Sequence, residues 1–591
     1  MTTVLFKKRE WSFYTLLGLL GILLILSLNY GAPNPLSWDT IGYHAYFVEW
    51  ITDGDLAIQN LSHYEQIVAE YDNTNTLYQF VQLEEGFITK YSIGWSLLNA
   101  PFLYIGHLAA GVFNYPQDGF SLPYQIACHS ASLFYTFLGL FFCRKLFRLF
   151  FSDQLTAVLL LILVLGTNYL HMNYACIGLV HVYLFTLYAL LLYHTHLFYQ
   201  NQHIKRALFI GVILGLMVLI RPTEIVAGII PLLYGLTSAK QIKSRLKDLF
   251  FTKYYYTAVL TFTICCSLQL FYWKYTTGYW VYYSYQNPGE GLDLHQPHLL
   301  EVLFSFRRGW FIYTPIMLLI IPALVTTYRH YKKWFSSLLI FTFVNLYLIS
   351  SWTTWWYAGS FSSRALEHSY PIYILLIGFL LSRWSGVRKK IALFIIGIFV
   401  CLNLFQTWQV QHGVLHLFRM SKPYYFSILG QTSPPSPEQE KLLFIDRNLT
   451  QFENKEDYQL IKKIPYREKS DTITQISPYS KALQFSYRDM TDKDHLWVVG
   501  KAHLSFLESD SLKQDQNIAI HLCANAFHNG RVYAWRNVTL TENNQQQSEL
   551  QIDYLTPHVR STSDTISVGL WLQEGPSVVV ENLYLEVYQH K

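Results

Sequence analysis

The run from Trp11 to Tyr30 contains no charged residue, and it matches the roughly 20 apolar residues a helix needs to cross a hydrocarbon core. Backbone polar groups in lipid must be satisfied within their own segment, so a run of this kind folds as a helix. Similar runs recur to about Trp408. The composition agrees: 52% of residues are hydrophobic and only 14% charged, against about a quarter charged in a soluble domain. From Pro423 onward charges become frequent and no apolar run approaches spanning length. The chain therefore reads as a membrane domain over 1–420, a linker over 421–442 and a soluble domain over 443–591.

Lysine and arginine concentrate in cytoplasmic loops, which tests any set of spans. Spans near 11–30, 122–143, 154–171, 179–199, 207–221, 225–237, 255–275, 309–327, 334–351, 370–384 and 391–408 place 20 of the 26 Lys and Arg before residue 409 in alternate loops. This is about 11 transmembrane helices, with the N-terminus cytoplasmic and the C-terminal domain extracytoplasmic (periplasmic if the membrane is a Gram-negative inner membrane). Lys7, Lys8 and Arg9 precede the first span without a small-residue cleavage site, the pattern of an uncleaved anchor. The assignment requires that the apolar segment 93–112 lie at the outer surface rather than cross, because crossing would carry Arg144, Lys145 and Arg148 outside. Gly94, Asn99, Pro101 and Gly106 make that segment a poor spanning helix.

The consequence is a long first outer loop, residues 31–121, with many carboxylates and one cation, Lys90. The other outer cations are Arg221, Lys274, Arg307, Arg308 and Arg364. Each sits at or near the end of an apolar segment, where a cation is costly without a partner. A convergent set of such cations holds a lipid-linked phosphate arriving at that depth; the positional alternative is that they snorkel or pair with the loop's carboxylates.

Three segments are similar to the GT-C superfamily of integral membrane glycosyltransferases, which includes the aminoarabinose transferases of lipid A and the protein O-mannosyltransferases. After the first span come Trp38-Asp39-Thr40-Ile41-Gly42-Tyr43 and then Asp53-Gly54-Asp55, resembling the family's Asp followed by a Tyr-bearing juxtamembrane helix. Lys90-Tyr91-Ser92-Ile93-Gly94-Trp95 is similar to its Lys-Pro segment, with Tyr91 in the proline's place. Trp352-Thr353-Thr354-Trp355-Trp356-Tyr357-Ala358-Gly359-Ser360-Phe361-Ser362-Ser363-Arg364 resembles its Trp, Gly-Ser-Phe and Arg signature, and the step Leu219-Ile220-Arg221-Pro222-Thr223 is also family-like.

The resemblance implies inverting transfer of a sugar from a polyprenyl-phosphate donor, undecaprenyl phosphate in a bacterium, to an extracytoplasmic glycan, lipid or protein acceptor, with no nucleic-acid partner. It implies Asp39 as the base, for which burial near lipid would raise the pKa usefully. The alternative is that Asp39 caps the helix beginning near Thr40. Lys90, Arg221 and Arg364 are the phosphate ligands. Glu84 and Glu85 are candidates for a second acidic partner or for ligands of a divalent cation (Mg or Mn), which some relatives of this class use and others do not. Trp352, Trp355, Trp356 and Tyr357 are candidates for stacking on sugar or lipid, although an interfacial aromatic belt explains such residues equally. A transporter or flippase for lipid-linked saccharides shares many of these features but binds at the membrane midplane between repeats, and no repeat is visible here. A non-catalytic envelope assembly factor keeping the fold is the third alternative.

His412 and His416 are four apart, the spacing of a metal pair on one helix face. The seven cysteines follow no metal or disulfide spacing and read as small core residues. Beyond the linker, alternating runs at 496–506, 517–522, 531–540, 549–554, 565–572 and 577–587 predict a β-sandwich of jelly-roll type.

Overall fold

The computed structural model describes residues 10–452, 454–466, 471–506, 519–540 and 548–591. The basic triplet Lys7, Lys8, Arg9 and the first two residues of the strand expected at 517–522 lie outside the described residues. The chain divides into two compact units: Met1–Gln286 with Asp293–Ser436, and Asn287–Leu292 with Pro437–Lys591. The division after Ser436 falls inside the linker expected at 421–442. Residues 421–436 go with the helices because Lys422–Ser427 is itself a helix, capped by the Ser421 hydroxyl.

Among the described residues of the first unit six helices are long and apolar enough to cross a membrane: Trp11–Tyr30, Leu122–Arg148, Lys253–Thr277, Lys332–Ser350, Arg364–Arg383 and Gly386–Gln411. The pair Asp153–Leu165 and Tyr169–Ala175, bent by 60°, passes the same test if counted as one span. Among the described residues the other expected spans are helical but shorter or more polar. Segment 179–199 forms His181–Gln200, with three histidines, and 207–221 forms Ile204–Ile220. Segments 225–237 and 309–327 become the short apolar helices Pro222–Leu233 and Pro315–His330, where proline removes backbone donors and clashes with the preceding turn.

Chain order places α1 (Trp11–Tyr30), α2 (Asp39–Thr52), α3 (Ser62–Tyr71), α4 (Gly94–Val112), α5 (Leu122–Arg148), α6 (Asp153–Leu165), α7 (Tyr169–Ala175), α8 (His181–Gln200) and α9 (Ile204–Ile220). The first turn of α1 is anchored by polar contacts: the Ser12 hydroxyl donates to Asp153 Oδ1 at 2.5 Å, and Arg144 pairs with Glu10 at 2.7 Å. Helix α4, which contains Gly94, Asn99, Pro101 and Gly106, does not pass the same test of length and apolarity.

The 31–121 loop is an ordered layer. Strands β1 (Phe80–Gln82) and β2 (Phe87–Thr89) form a hairpin, Tyr64 donates to Glu49 Oε1 at 2.7 Å, and Tyr71 donates to Asp118 Oδ2 at 2.7 Å. Ile41, Ala45, Val48, Tyr64 and Phe120 are buried within it. Helix α2 therefore has a fixed support, which places its first residue reproducibly.

The second unit is a sandwich of antiparallel sheets. Its strands are β3 (Tyr458–Pro465), β4 (Asp471–Ile473), β5 (Leu483–Ser486), β6 (Trp497–Phe506), β7 (Ala519–His528), β8 (Arg531–Leu540), β9 (Ser548–Leu555), β10 (Thr565–Glu574) and β11 (Val578–His590). One sheet runs β5-β10-β7-β8; the other runs β3-β11-β6-β9, with β4 also on β11. Alternate residues Leu522, Ala524, Ala526, Ile566, Val568 and Leu570 are buried with Val498, Ala502 and Leu504, the period of two expected of facing sheets. Strands β3, β4 and β5 escaped the sequence reading. β4 and β5 are short, and β3 shows a burial pattern without alternation.

Candidate active site

Asp39 opens α2. The residue before it, Trp38, holds a left-handed φ of 51°, a conformation that a bulky residue adopts only when its surroundings impose it. Those surroundings are visible: the Gln79 side chain donates to Trp38 O at 2.8 Å, and Trp38 N–H donates to Asn73 O at 3.2 Å. Asp39 does not cap the helix. Its Oδ1 instead accepts from the hydroxyls of Tyr78 and Tyr91, both at 2.6 Å, and its Oδ2 stands 3.8 Å from Arg364 Nη2.

Lys90 follows β2, its backbone fixed by Gln79 O at 2.9 Å and by the Ser284 hydroxyl, which donates to Lys90 O at 2.8 Å. Its ammonium lies over the rings of Tyr78, Tyr91 and Tyr285 at 4.5, 5.4 and 5.7 Å, an arrangement in which ring faces stabilise a desolvated cation. Gly42 makes this geometry available. A Cβ there would meet the Tyr91 ring at 2.6 Å and the Gln79 side chain at 2.8 Å, so only glycine lets Tyr91 lie across α2 and reach Asp39.

Arg221 follows α9, which ends before Pro222. It joins the cluster through a second close approach, because a Cβ on Gly94 would meet the backbone of Leu219 at 2.4 Å and of Ile220 at 2.5 Å. Tyr43, whose ring lies 4.1 Å from that of Tyr91, feels the charges of Asp39, Arg221 and Arg364 together, and Tyr357 feels both arginines. Arg221 Nη1 lies 3.9 Å from Glu224 Oε1. Asp39, Lys90, Arg221 and Arg364 thus belong to one cluster.

The electrostatics correct one expectation. Burial is the largest single influence on Asp39 and pushes its pKa up, but the Arg364 charge, the two tyrosine hydrogen bonds and the Lys90 charge together outweigh it. The net shift is downward, not upward, so Asp39 is a carboxylate at neutral pH. Tyr78 and Tyr91 move the other way, raised by burial and by the Asp39 charge, and remain hydroxyl donors.

Other candidates stand elsewhere. Glu84 and Glu85 are exposed on the turn between β1 and β2, and no contact in the described residues brings them to Asp39. Trp352 packs edge-on to Tyr285 at 5.7 Å and Tyr357 borders the arginines, whereas Trp356 lies under Arg307 at 4.3 Å and Trp355 packs on Trp356 and His298. Arg308 donates to Ala358 O and Lys274 to Gly278 O. His412 and His416 do not share a helix face, since the helix ends at Gln411 and His416 Nδ1 accepts from Phe418 and Arg419 N–H. Sequence reasoning missed Tyr78, Glu224 and His368, and gave Tyr43 no role of its own. Glu224 had a signal, being next after the quoted Arg-Pro-Thr step.

A divalent cation does not fit this donor set. Asp39 is ringed by cations and already accepts two hydrogen bonds, and among the described residues no group of three or more His, Cys, Asp or Glu converges as a metal site.

No family model matches the chain and no curated protein matches it. Among solved structures it is similar to the Archaeoglobus fulgidus oligosaccharyltransferase tethered with an acceptor peptide (TM-score 0.42, 12% identity, 73% of this chain and 58% of that one). It is also similar to ArnT from Cupriavidus metallidurans bound to undecaprenyl phosphate (0.41, 12%, 69% and 67%) and to arabinosyltransferase EmbB from Mycobacterium smegmatis (0.35, 10%, 98% and 64%). The chain spans 58% of the oligosaccharyltransferase's length.

Proposed function

We propose that the protein transfers a sugar from a polyprenyl-phosphate donor to a hydroxyl-bearing acceptor outside the cytoplasm, with inversion at the anomeric carbon. The observation that carries this reading is the grouping of the Asp39 carboxylate with three cations, Lys90, Arg221 and Arg364. A carboxylate amid cations just after a membrane span suits a phosphate leaving group and a nearby proton acceptor.

In the proposed reaction an acceptor oxygen lone pair forms the bond to the anomeric carbon while the bond from that carbon to the phosphate oxygen breaks, its electron pair leaving with the phosphate. The acceptor proton passes to Asp39. A carboxylate of lowered pKa is competent because the acceptor oxygen becomes strongly acidic as its new bond forms, so proton transfer is late. Arg364 then serves twice: its charge keeps Asp39 ionised in the resting site and stabilises the phosphate as negative charge develops. Tyr78 and Tyr91 orient the carboxylate through Oδ1, leaving Oδ2 toward the cations.

The distribution of lysine and arginine supports a cytoplasmic N-terminus, with Asp39 and the sandwich on the other side. Arg144 pairs with Glu10 at the start of α1, and Asp39 follows its end. The acceptor class (lipopolysaccharide, cell-wall glycan or protein) is open to assay. Purified protein given labelled polyprenyl-phosphate sugars and an envelope extract should release polyprenyl phosphate and yield a glycoside of inverted configuration; no release across hexosyl and pentosyl donors refutes the reading.

A further inference from the structure

The proposed reaction leaves the buried carboxylate of Glu224 unused. Glu224 is 3% exposed, yet it lies within the cationic cluster. Its Oε1 stands 3.9 Å from Arg221 Nη1 and 3.2 Å from His368 Nε2, and its Oε2 accepts from the Tyr188 hydroxyl at 2.6 Å. His368 lies on the same short helix as Arg364, Arg364–Ser369, so Glu224 is held between the elements that carry two of the three cations. A carboxylate buried beside an anion-binding arginine weakens the attraction for any anionic ligand, so its presence there calls for a reason.

Charge counting supplies one. Each carboxylate in the cluster lowers by one the positive charge that Lys90, Arg221 and Arg364 present to an anion, and Glu224 does so without taking part in the transfer. On the reading above, the incoming donor is a phosphodiester with one negative charge, and the departing carrier is a phosphomonoester whose second pKa of about 6 makes it largely a dianion. Directly after transfer Asp39 holds the acceptor proton, so the positive charge facing the dianion is one greater. Once Asp39 returns its proton to water that charge falls by one and the dianion is held less tightly.

We infer that Glu224 is a positioning residue that, through Arg221, offsets part of the cationic charge, so that the site takes the monoanionic diester and releases the dianionic spent carrier. Glu224→Gln keeps the volume and an acceptor for Tyr188 but removes the charge. The dianion then gains twice what the monoanion gains, because each unit of ligand charge feels the change.

The experiment measures binding of a short-chain polyprenyl phosphate and of its sugar phosphodiester to purified wild-type and variant protein. In Glu224→Gln the affinity for polyprenyl phosphate should rise by about tenfold or more relative to that for the diester, as expected for one charge removed within about 12 Å at an effective dielectric constant near 20. A first-turnover burst should precede slow release. Glu224→Asp, which keeps the charge, should leave the ratio within about twofold. Arg221→Gln should move it the opposite way, and the Arg221→Gln/Glu224→Gln double variant should restore it. A structural lesion would weaken both ligands together, and that outcome, or an unchanged ratio in a folded Glu224→Gln, overturns the inference. If Glu224→Gln does not fold, an unchanged ratio in Arg221→Gln does so. A wild type that binds neither probe would instead refute the transferase reading itself.

Discussion

Gly94 is the first residue of α4, where alanine would ordinarily favour the helix by about 1 kcal/mol. The structure reverses that expectation. A Cβ at this position would stand 2.4 Å from the Leu219 carbonyl carbon and 2.5 Å from Ile220 N, whereas carbon atoms in contact settle at about 3.5–4.0 Å. Both obstacles are backbone, so relief requires α4 and the end of α9 to separate by about 1 Å. Lys90 lies four residues before Gly94 and Arg221 two after Leu219, so the separation acts directly on two of the three cations. Overpacking of this kind costs about 1–3 kcal/mol, and a displacement near 1 Å of positioned groups costs about 10²-fold in rate. Gly94→Ala should therefore lower the thermal unfolding midpoint in detergent and reduce sugar transfer by one to two orders of magnitude. A Gly94→Ala protein as stable as the wild type with turnover within about twofold would refute the close-approach argument.

Burial, with Asp53 and Asp55 nearby, pushes Glu49 up to about 7 although Tyr64 donates to it. The folded state thus holds a proton that the unfolded chain has released between pH 4.5 and 7, and stability falls as pH rises through that window. Glu49→Gln should be stabilising at pH 8, by about 2–3 kcal/mol at most, and neutral at pH 4; melting curves at both values check the sign. Removing the Tyr91 hydroxyl takes away an interaction that lowers the Asp39 pKa, so the acid limb of the pH–rate profile of Tyr91→Phe should move to higher pH. A profile unchanged or moved downward contradicts the assignment. Glu84→Ala and Glu85→Ala, on an exposed turn, should leave transfer within about twofold, as surface changes usually do; a large loss would restore them to the site.

Much of the membrane unit was legible because lipid imposes a coarse rule, namely long uncharged runs separated by loops that sort lysine and arginine. Proline at Pro222 and Pro315 blurred that rule by breaking helices that hydropathy alone would join. In the sandwich, long strands such as β6 and β10 show their period of two, whereas the edge strand β3 pairs with β11 through backbone bonds that carry no such sign. At the site, Lys90, Arg221 and Arg364 stood out among six cations at the ends of apolar segments, whereas Asp39 was singled out only by the resemblance of its segment to a known family. Tyr78 and Tyr91 did not stand out, since tyrosine is abundant throughout the chain and only the folded loop turns these two hydroxyls onto Asp39. The direction of the Asp39 shift was likewise unreadable in sequence, because it depends on four partners outweighing burial.

The central claim is that Asp39 accepts the acceptor's proton during sugar transfer within a cationic phosphate site. Its most direct test compares wild type and Asp39→Asn, purified and supplied with a labelled polyprenyl-phosphate sugar and its acceptor, with release of polyprenyl phosphate measured at saturating donor. The asparagine keeps the shape and leaves Lys90, Arg221 and Arg364 in place, so donor binding should persist while kcat falls by about 10²-fold or more. Full turnover by Asp39→Asn would contradict the account.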